Sequence, residues 1–139
     1  MNIMQKSDDW LSVLRRAGLR PTRQRLALCR LLFGKGDRHI TAETLHGEIQ
    51  DEGLSISLAT VYNTLHQFTD AHLLKQVVVD PTRTYFDTNL SDHHHFFFEK
   101  EGVLCDLPGG KIDMGTVPDA PEGTRIESVD VIVRLASLA

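Results

Sequence analysis

Cysteine and long apolar runs are both scarce in this 139-residue sequence. Cys29 and Cys105 are its two cysteines and neither lies in a CxxC pair, so we expect no disulfide framework and no cysteine-rich zinc site. We expect each to be a small buried residue. No apolar run approaches the ~20 residues of a membrane span, and the start MNIMQKSDDW lacks the pattern of a signal peptide. The sequence therefore predicts a cytoplasmic protein with no membrane partner.

Positive charge is also in deficit overall, with a net charge of -4, but it is unevenly spread. Residues 1–86 hold 11 Lys+Arg against 9 Asp+Glu, whereas residues 87–139 hold 4 against 10. One stretch is strongly basic: Arg15, Arg16, Arg20, Arg23, Arg25, Arg30, Lys35 and Arg38, with Asp37 as its one acid. This pattern fits a DNA-binding half joined to an acidic half, or a solvated helix face.

Start and stop signals divide the N-terminal half into four helices followed by a hairpin. The helix signals are Ser7 and Gly18, Thr22 and Gly34, Thr41 and Gly53, and Ser57 before the fourth helix. The segments KQVVVD and RTYFDT are rich in β-forming residues and are joined by Asp80-Pro81-Thr82, so they predict the two strands of the hairpin. Short helices that end in a hairpin predict a winged helix-turn-helix, with the hairpin as the wing.

The fourth predicted helix has two distinct faces. Leu58, Val61, Leu65 and Phe68 recur at helical spacing and predict the inward face. The other faces carry hydroxyl, amide and aromatic groups that suit a DNA major groove, although any surface helix is polar opposite its apolar stripe. The polar residues are Ser57, Thr60, Tyr62, Asn63 and Gln67.

The last fifty residues predict a small sheet. FFFEKEGVLCDL indicates strand, turn and strand, and TRIESVDVIVRLASL alternates as a longer strand through Ile126, Val129, Val131, Val133 and Leu135. A sheet this small buries little alone, which favours a homodimer. We therefore predict an α+β protein, with a winged-helix DNA-binding domain over residues 1–86 and a small α/β dimerisation and ligand-sensing domain over residues 87–139.

Three consecutive histidines occur in the segment SDHHHFFFEK, at residues 91–100. The triplet is compatible with a metal site, a haem site or a histidine-rich strand. If a strand starts here, His93 and His95 point one way and His94 the other, because side chains alternate. Other parts of the chain must then supply further ligands.

The segments GLRPTRQR, HITAETLH, SLATVYNTLHQF and SDHHH resemble the ferric uptake regulator family of dimeric, metal-responsive transcription factors. The resemblance runs from about residue 11 to the end of the chain. SLATVYNTLHQF, TYFDTN and SDHHHFFFEKE are similar to the iron response regulator branch of alpha-proteobacteria, which responds to haem and iron. This implies a regulator that binds an A·T-rich inverted repeat in double-stranded DNA as a dimer and controls iron and haem homeostasis genes.

The resemblance also implies functional residues. Arg20 matches a basic side chain placed in an A·T-rich minor groove, and Tyr62 matches a tyrosine that meets thymine, with Ser57, Thr60 and Asn63 along the same edge. Asn63 stands where many relatives have arginine. The implied metal ligands are His39, Asp87, His93, His95 and Asp106, a nitrogen and oxygen set suited to Fe²⁺, Mn²⁺ or Zn²⁺.

Two departures from the family pattern affect the expected cofactors. Phe98 and Glu101 occupy the positions of one structural zinc cysteine pair, and no later pair precedes Ala139, so we expect no structural four-cysteine zinc site. Val129 replaces a distant histidine partner of His94. This leaves His94 available for another ligand, and the resemblance to the iron response regulator branch implies haem. The triplet His93, His94 and His95 is therefore a candidate haem site, with His94 as the axial ligand and the following phenylalanines as apolar cover.

Two alternatives to this function use the same residues. A peroxide sensor of the same fold would share the five metal ligands and signal through oxidation of a ligand histidine. A non-haem metal-dependent enzyme also uses two histidines and an acid. The sequence shows no cleft-forming loops and no general base near these residues, so we expect a protein that is not an enzyme.

Overall fold

The computed structural model describes residues 9–108 and 112–138. Ser7, the predicted start of the first helix, lies outside these residues. The chain divides into two compact units, Met1–Leu90 and Ser91–Ala139. The division falls after Leu90 rather than after residue 86, because the strand that ends the first unit continues to Asp87.

Four helices occur among the described residues, all in the first unit. They are α1 (Trp10–Arg16), α2 (Arg23–Phe33), α3 (Ala42–Asp51) and α4 (Leu58–Asp70). The predicted caps of the last three are confirmed: the side chains of Thr22, Thr41 and Ser57 each accept a hydrogen bond from the backbone N–H three residues later, at 3.1 Å. Gly53, the predicted stop after α3, adopts a φ of 73°, a conformation that favours glycine.

The core of the first unit lies between its helices and its sheet. Trp10 and Phe68 both approach the ring of Phe33, with centroid distances of 6.1 and 6.4 Å. Val61, Leu65 and Phe68 are fully buried, as the pattern of the fourth helix predicted. The prediction was wrong for Leu58, which is 36% exposed, because Ile56 occupies the buried position where the chain enters α4.

A three-stranded antiparallel sheet completes the first unit. Its strands are β1 (His39–Ile40), β2 (Lys75–Asp80) and β3 (Arg83–Asp87), in the order β1-β3-β2. β2 and β3 form the predicted wing. Asp80 closes its turn by accepting hydrogen bonds from the guanidinium of Arg83 and from the Thr82 N–H, the latter at 2.9 Å. The Arg83 bond first, and the Thr82 bond second, hold the pKa of the Asp80 carboxyl well below its usual range.

The second unit contains a second three-stranded sheet, formed by β4 (His95–Phe98), β5 (Val103–Asp106) and β6 (Ile132–Leu135). The order is β5-β4-β6, with β4 antiparallel to β5 and parallel to β6. The chain is therefore an α+β protein with a winged-helix domain and a small second domain, as predicted.

The predicted last strand is too long. β6 spans four residues because it pairs with the four residues of β4, in the register His95↔Ile132 to Phe98↔Leu135. Ile126 and Val129, which the sequence placed within this strand, precede it and are 48% and 41% exposed.

The two cysteines are free thiols in different surroundings. Cys29 is buried as expected, and its burial raises its pKa to about 12. Cys105 lies on β5 and is half-buried, so the expectation of full burial was wrong for it.

No helix among the described residues has both the length and the apolar character needed to cross a membrane.

Leu65 and Leu58 provide a matched test of the packing of α4. Leu65→Ala should lower the free energy of unfolding by about 3 kcal/mol, because it removes a fully buried side chain, whereas Leu58→Ala should cost less than about 1 kcal/mol. Urea unfolding followed through the fluorescence of Trp10, the sole tryptophan, measures both. Equal costs would contradict the assigned helix face.

Candidate DNA-binding face and metal-ligand clusters

The start of α4 presents the polar side chains that the sequence singled out. Ser57 and Asn63 are exposed, and Thr60 and Tyr62 are half-buried. Ser57 Oγ also donates to Thr60 Oγ1 at 3.0 Å, so its cap is part of a small hydroxyl network. The helix N-terminus and these groups form a surface with hydrogen-bond donors and acceptors suited to DNA.

Tyr62 is held at both ends of its side chain. Its hydroxyl donates to the carboxylate of Glu43, in the first turn of α3. Its ring stacks on the imidazole of His66 with centroids 6.5 Å apart, and His66 meets Phe86 edge-on at 5.6 Å. Sequence reasoning missed Glu43, whose role depends on how α3 and α4 pack.

Arg20 is exposed in the segment between α1 and α2. The guanidinium of Arg25 donates to the Arg20 carbonyl at 2.8 Å and to Gln67 Oε1 at 3.0 Å. Arg25 thereby ties the backbone that carries Arg20 to α4. The basic run had included Arg25 as one charge among eight, and its positioning role is visible only in the fold.

The first unit contains a pair of the implied metal ligands. His39 and Asp87 face each other across the β1–β3 pairing, with His39 Nε2 3.0 Å from Asp87 Oδ2. Asp87 is fully buried, and its Oδ1 accepts a hydrogen bond from the Asn89 N–H at 2.9 Å. Burying a carboxylate is costly unless cations or hydrogen bonds compensate its charge, so a cation bound beside Asp87 would be strongly stabilised.

Arg38 holds the strand that carries His39. Its guanidinium makes two bonds to the Glu48 carboxylate, at 2.9 and 2.6 Å, and one to the Leu31 carbonyl at 2.9 Å. Its backbone exchanges hydrogen bonds with Thr88, directly after Asp87. These links connect β1 and the end of β3 to α2 and α3.

The second unit contains the other three implied ligands. His93 Nε2 and His95 Nε2 lie 2.9 and 3.5 Å from the same oxygen, Asp106 Oδ1. His95 begins β4 and is opposite Asp106 in the β4–β5 pairing. The expected alternation of the triplet is confirmed, because His93 and His95 converge on Asp106 and His94 does not.

The hydrogen bonds of His93 indicate its tautomer. Its Nδ1 lies 2.6 Å from the Ser91 carbonyl oxygen, which can only accept, so Nδ1 carries a proton. Nε2 of His93 then faces the Asp106 carboxylate in one of two ways. Either it carries a second proton, or its lone pair binds a cation that the carboxylate also binds. An imidazole oriented by a carbonyl at its second nitrogen is a common arrangement for a metal ligand.

His94 has the opposite arrangement. Its Nδ1 accepts a hydrogen bond at 3.1 Å from the backbone N–H of Val131, at the start of β6, so the neutral ring carries its proton on Nε2. Neither nitrogen then offers a free lone pair to iron. Haem ligation by His94 therefore requires this hydrogen bond to break.

The donor types in both clusters fit a divalent metal ion. The first unit supplies one imidazole nitrogen and one carboxylate, and the second supplies two imidazoles and one carboxylate. A mixed nitrogen and oxygen set without sulfur suits Mn²⁺, Fe²⁺ or Zn²⁺.

Comparison with known proteins identifies the family. The model of the ferric uptake regulator family matches residues 16–130. The peroxide-responsive repressor PerR of Staphylococcus epidermidis is 31% identical over 112 residues, which cover 81% of this chain and 74% of that protein. The chain belongs to the ferric uptake regulator family.

Solved structures of family members share the fold. The ferric uptake regulator of Pseudomonas aeruginosa, solved with manganese, superposes with a TM-score of 0.69 at 22% identity, over 94% of this chain and 98% of that one. The ferric uptake regulator of Vibrio cholerae gives a TM-score of 0.71 at 21% identity, over 91% and 98%. Family members are DNA-binding, metal-responsive transcription regulators rather than enzymes, which confirms that class of function for this chain.

The tautomer of His94 can be tested directly in the metal-free protein. Because the backbone N–H of Val131 donates to its Nδ1, the neutral ring of His94 should carry its proton on Nε2 rather than on Nδ1. Long-range ¹H–¹⁵N correlation spectra of the imidazole rings distinguish these forms. An Nδ1-protonated His94 would contradict its hydrogen bond to Val131.

Proposed function

We propose that the chain is a dimeric transcriptional repressor whose DNA affinity depends on one divalent metal ion held jointly by its two units. The observation that carries this proposal is the division of the ligand set. His39 and Asp87 belong to the first unit, and His93, His95 and Asp106 belong to the second.

The number of donors supports a shared ion. Two ligands in one unit and three in the other each leave a divalent ion short of the five or six donors that Fe²⁺ and Mn²⁺ commonly take. All five together offer three imidazole nitrogens and two carboxylates, while His93 and Asp87 are already oriented by Ser91 and Asn89. Ligands from both units would bias the arrangement of the DNA-binding domain relative to the rest.

The proposed DNA contacts lie in the first unit. Arg20 would enter an A·T-rich minor groove, where narrow width concentrates negative potential. The edge of α4 with Ser57, Thr60, Tyr62 and Asn63 would face the major groove of an inverted repeat.

A second copy of the chain is the proposed partner of the second unit. Its sheet has three strands, and among the described residues no further strand pairs with the outer edge of β5 or of β6. Val103, on β5, and Ile126 and Val129, in the segment before β6, are exposed apolar residues of this unit. Pairing with an identical unit would cover such a surface.

Variants in either unit test whether the ion is shared. His93→Ala with His95→Ala should lower Mn²⁺ affinity by about 100-fold or more, and Asp87→Asn should lower it by about tenfold or more, because each removes donors from the same site. Calorimetric titration of the full chain should give one Mn²⁺ per chain.

His46→Ala is the matched control, since it removes an imidazole on α3 outside both clusters and should leave Mn²⁺ affinity unchanged. Circular dichroism of each variant verifies folding. If Asp87→Asn binds Mn²⁺ like the parent while the histidine variant does not, the second unit binds the ion alone and a shared site is excluded.

Peroxide sensing is a second candidate function. The relative from Staphylococcus epidermidis, at 31% identity, is a peroxide-responsive repressor. The five ligands proposed here are also those that the family resemblance implies for a peroxide sensor. In that function, iron-dependent oxidation of a ligand histidine would weaken the site and release DNA.

The choice of metal separates metal sensing from peroxide sensing. With Fe²⁺ bound, peroxide should add one oxygen atom to a peptide that contains His39, His93 or His95 if the protein is a peroxide sensor, whereas the Mn²⁺ form should stay unmodified. Peptide mass spectrometry measures both. An unmodified Fe²⁺ form that retains DNA affinity would reject peroxide sensing.

Haem is a further proposed effector, supported by the likeness of SLATVYNTLHQF, TYFDTN and SDHHHFFFEKE to the iron response regulator branch. The triplet His93, His94 and His95 would bind it. Since His94 is bonded to Val131 and the other two histidines face Asp106, haem would compete with both the β6 contact and the metal ligands. Haem and metal would then have opposite effects on DNA affinity.

A further inference from the structure

The Tyr62 hydroxyl is already committed before any DNA is bound. A phenol has one proton, and Tyr62 donates it to the carboxylate of Glu43, a group that can only accept when ionised. The same hydrogen bond raises the pKa of Tyr62, so the hydroxyl remains protonated. Its oxygen retains lone pairs and has no proton left to donate elsewhere.

The ring of Tyr62 is fixed along with the hydroxyl. His66 stacks on it, and Phe86, fully buried in β3, supports His66 from the side. Rotating the hydroxyl towards another acceptor would leave the Glu43 carboxylate without this bond. The direction of hydrogen bonding at Tyr62 is therefore set by the fold of the first unit.

We propose that Glu43 is a specificity-determining residue, which makes the Tyr62 hydroxyl a pure hydrogen-bond acceptor towards DNA. This inference rests on the proposed contact between Tyr62 and the major groove. In that groove the donors are the N6 amino group of adenine and the N4 amino group of cytosine, whereas guanine O6 and thymine O4 are acceptors. A hydroxyl that can only accept is attracted to the amino groups of adenine and cytosine and repelled by guanine O6 and thymine O4.

Adding the ring narrows the choice to one base pair. The aromatic face of Tyr62 suits the thymine methyl group, and the hydroxyl suits an amino donor. An A·T pair presents both groups on its major-groove edge, but a G·C pair has an amino donor and no methyl. Glu43 and Tyr62 together should therefore select an A·T pair without Glu43 itself touching a base.

Modified bases separate the two contacts. A DNA site is first selected from randomised duplexes by the full-length protein with Mn²⁺. Single adenines in it are then replaced by purine, which lacks the N6 amino group, and single thymines by uracil, which lacks the methyl. We expect purine at one adenine per half-site to lower the affinity of the parent protein about fivefold, the value of about one hydrogen bond. We call this loss of affinity the purine penalty, and the loss caused by uracil in place of thymine the uracil penalty.

The variants then identify the cause of this purine penalty. Tyr62→Phe should reduce it to less than about twofold because the hydroxyl is gone. Glu43→Ala should do the same, because the freed hydroxyl can turn and donate to thymine O4 of that pair. Both variants should keep the uracil penalty, since the ring remains. Asp51→Ala removes an equal charge from α3 and should behave like the parent protein.

Three results would overturn either the inference about Glu43 or the proposed DNA contact on which it rests, and each result can be told from the others. If Glu43→Ala keeps the parent's purine penalty while Tyr62→Phe loses it, the hydroxyl reads DNA but Glu43 does not set its direction. If no adenine shows a purine penalty in the parent, the hydroxyl does not accept from a base. If Tyr62→Ala leaves the purine and uracil penalties both unchanged, the proposed DNA contact of Tyr62 itself is wrong.

Discussion

The buried carboxylate of Asp87 is the constraint on which the first unit's candidate metal cluster depends. The charge of a carboxylate with no solvent exposure must be compensated. Here one oxygen accepts a hydrogen bond from the backbone N–H of Asn89, and the other lies 3.0 Å from His39 Nε2. A shared divalent cation would compensate the same charge more strongly. Asp87 directly follows Phe86, and the ring of Phe86 packs against His66, on which Tyr62 stacks. The strand that carries the proposed metal ligand is therefore also in contact with the proposed DNA-binding face.

That adjacency gives the proposed regulation a physical basis inside the first unit. β3 ends in Asp87, a proposed metal ligand, and Phe86 before it packs against His66, on which the ring of Tyr62 stacks. Arg38 adds a second set of links, through Glu48 on α3 and Thr88 beyond β3. A cation that fixes His39 and Asp87 would therefore stabilise the elements on which Glu43 and Tyr62 stand.

Much of the first unit could be predicted from the sequence because its signals are local. Thr22, Thr41 and Ser57 cap helices through atoms three residues away, and the wing has a clear change of period with a turn at Asp80. β1 was not predicted, since two residues carry no periodicity and pair only with a distant strand. Leu58 and β6 were misjudged for the same reason: burial there depends on Ile56 and on the length of β4.

The candidate ligands were predicted from residue type and family resemblance, but their hydrogen bonds were not. Alternation along the triplet correctly separated His94 from its neighbours. That its Nδ1 is bonded to Val131 depends on the parallel pairing of β4 with β6, which no local pattern contains. Likewise, Glu43 and Arg25 are ordinary charged surface residues in the sequence and acquire partners only when α3, α4 and the segment before α2 pack together.

The central claim is that metal binding and DNA binding are coupled. The most direct measurement is the affinity of the purified protein for a selected DNA site in three states: metal-free, with Mn²⁺ and with haem. We expect Mn²⁺ to raise DNA affinity by about tenfold or more, DNA to raise Mn²⁺ affinity by the same factor, and haem to lower DNA affinity. Equal DNA affinity with and without Mn²⁺ would contradict the central claim.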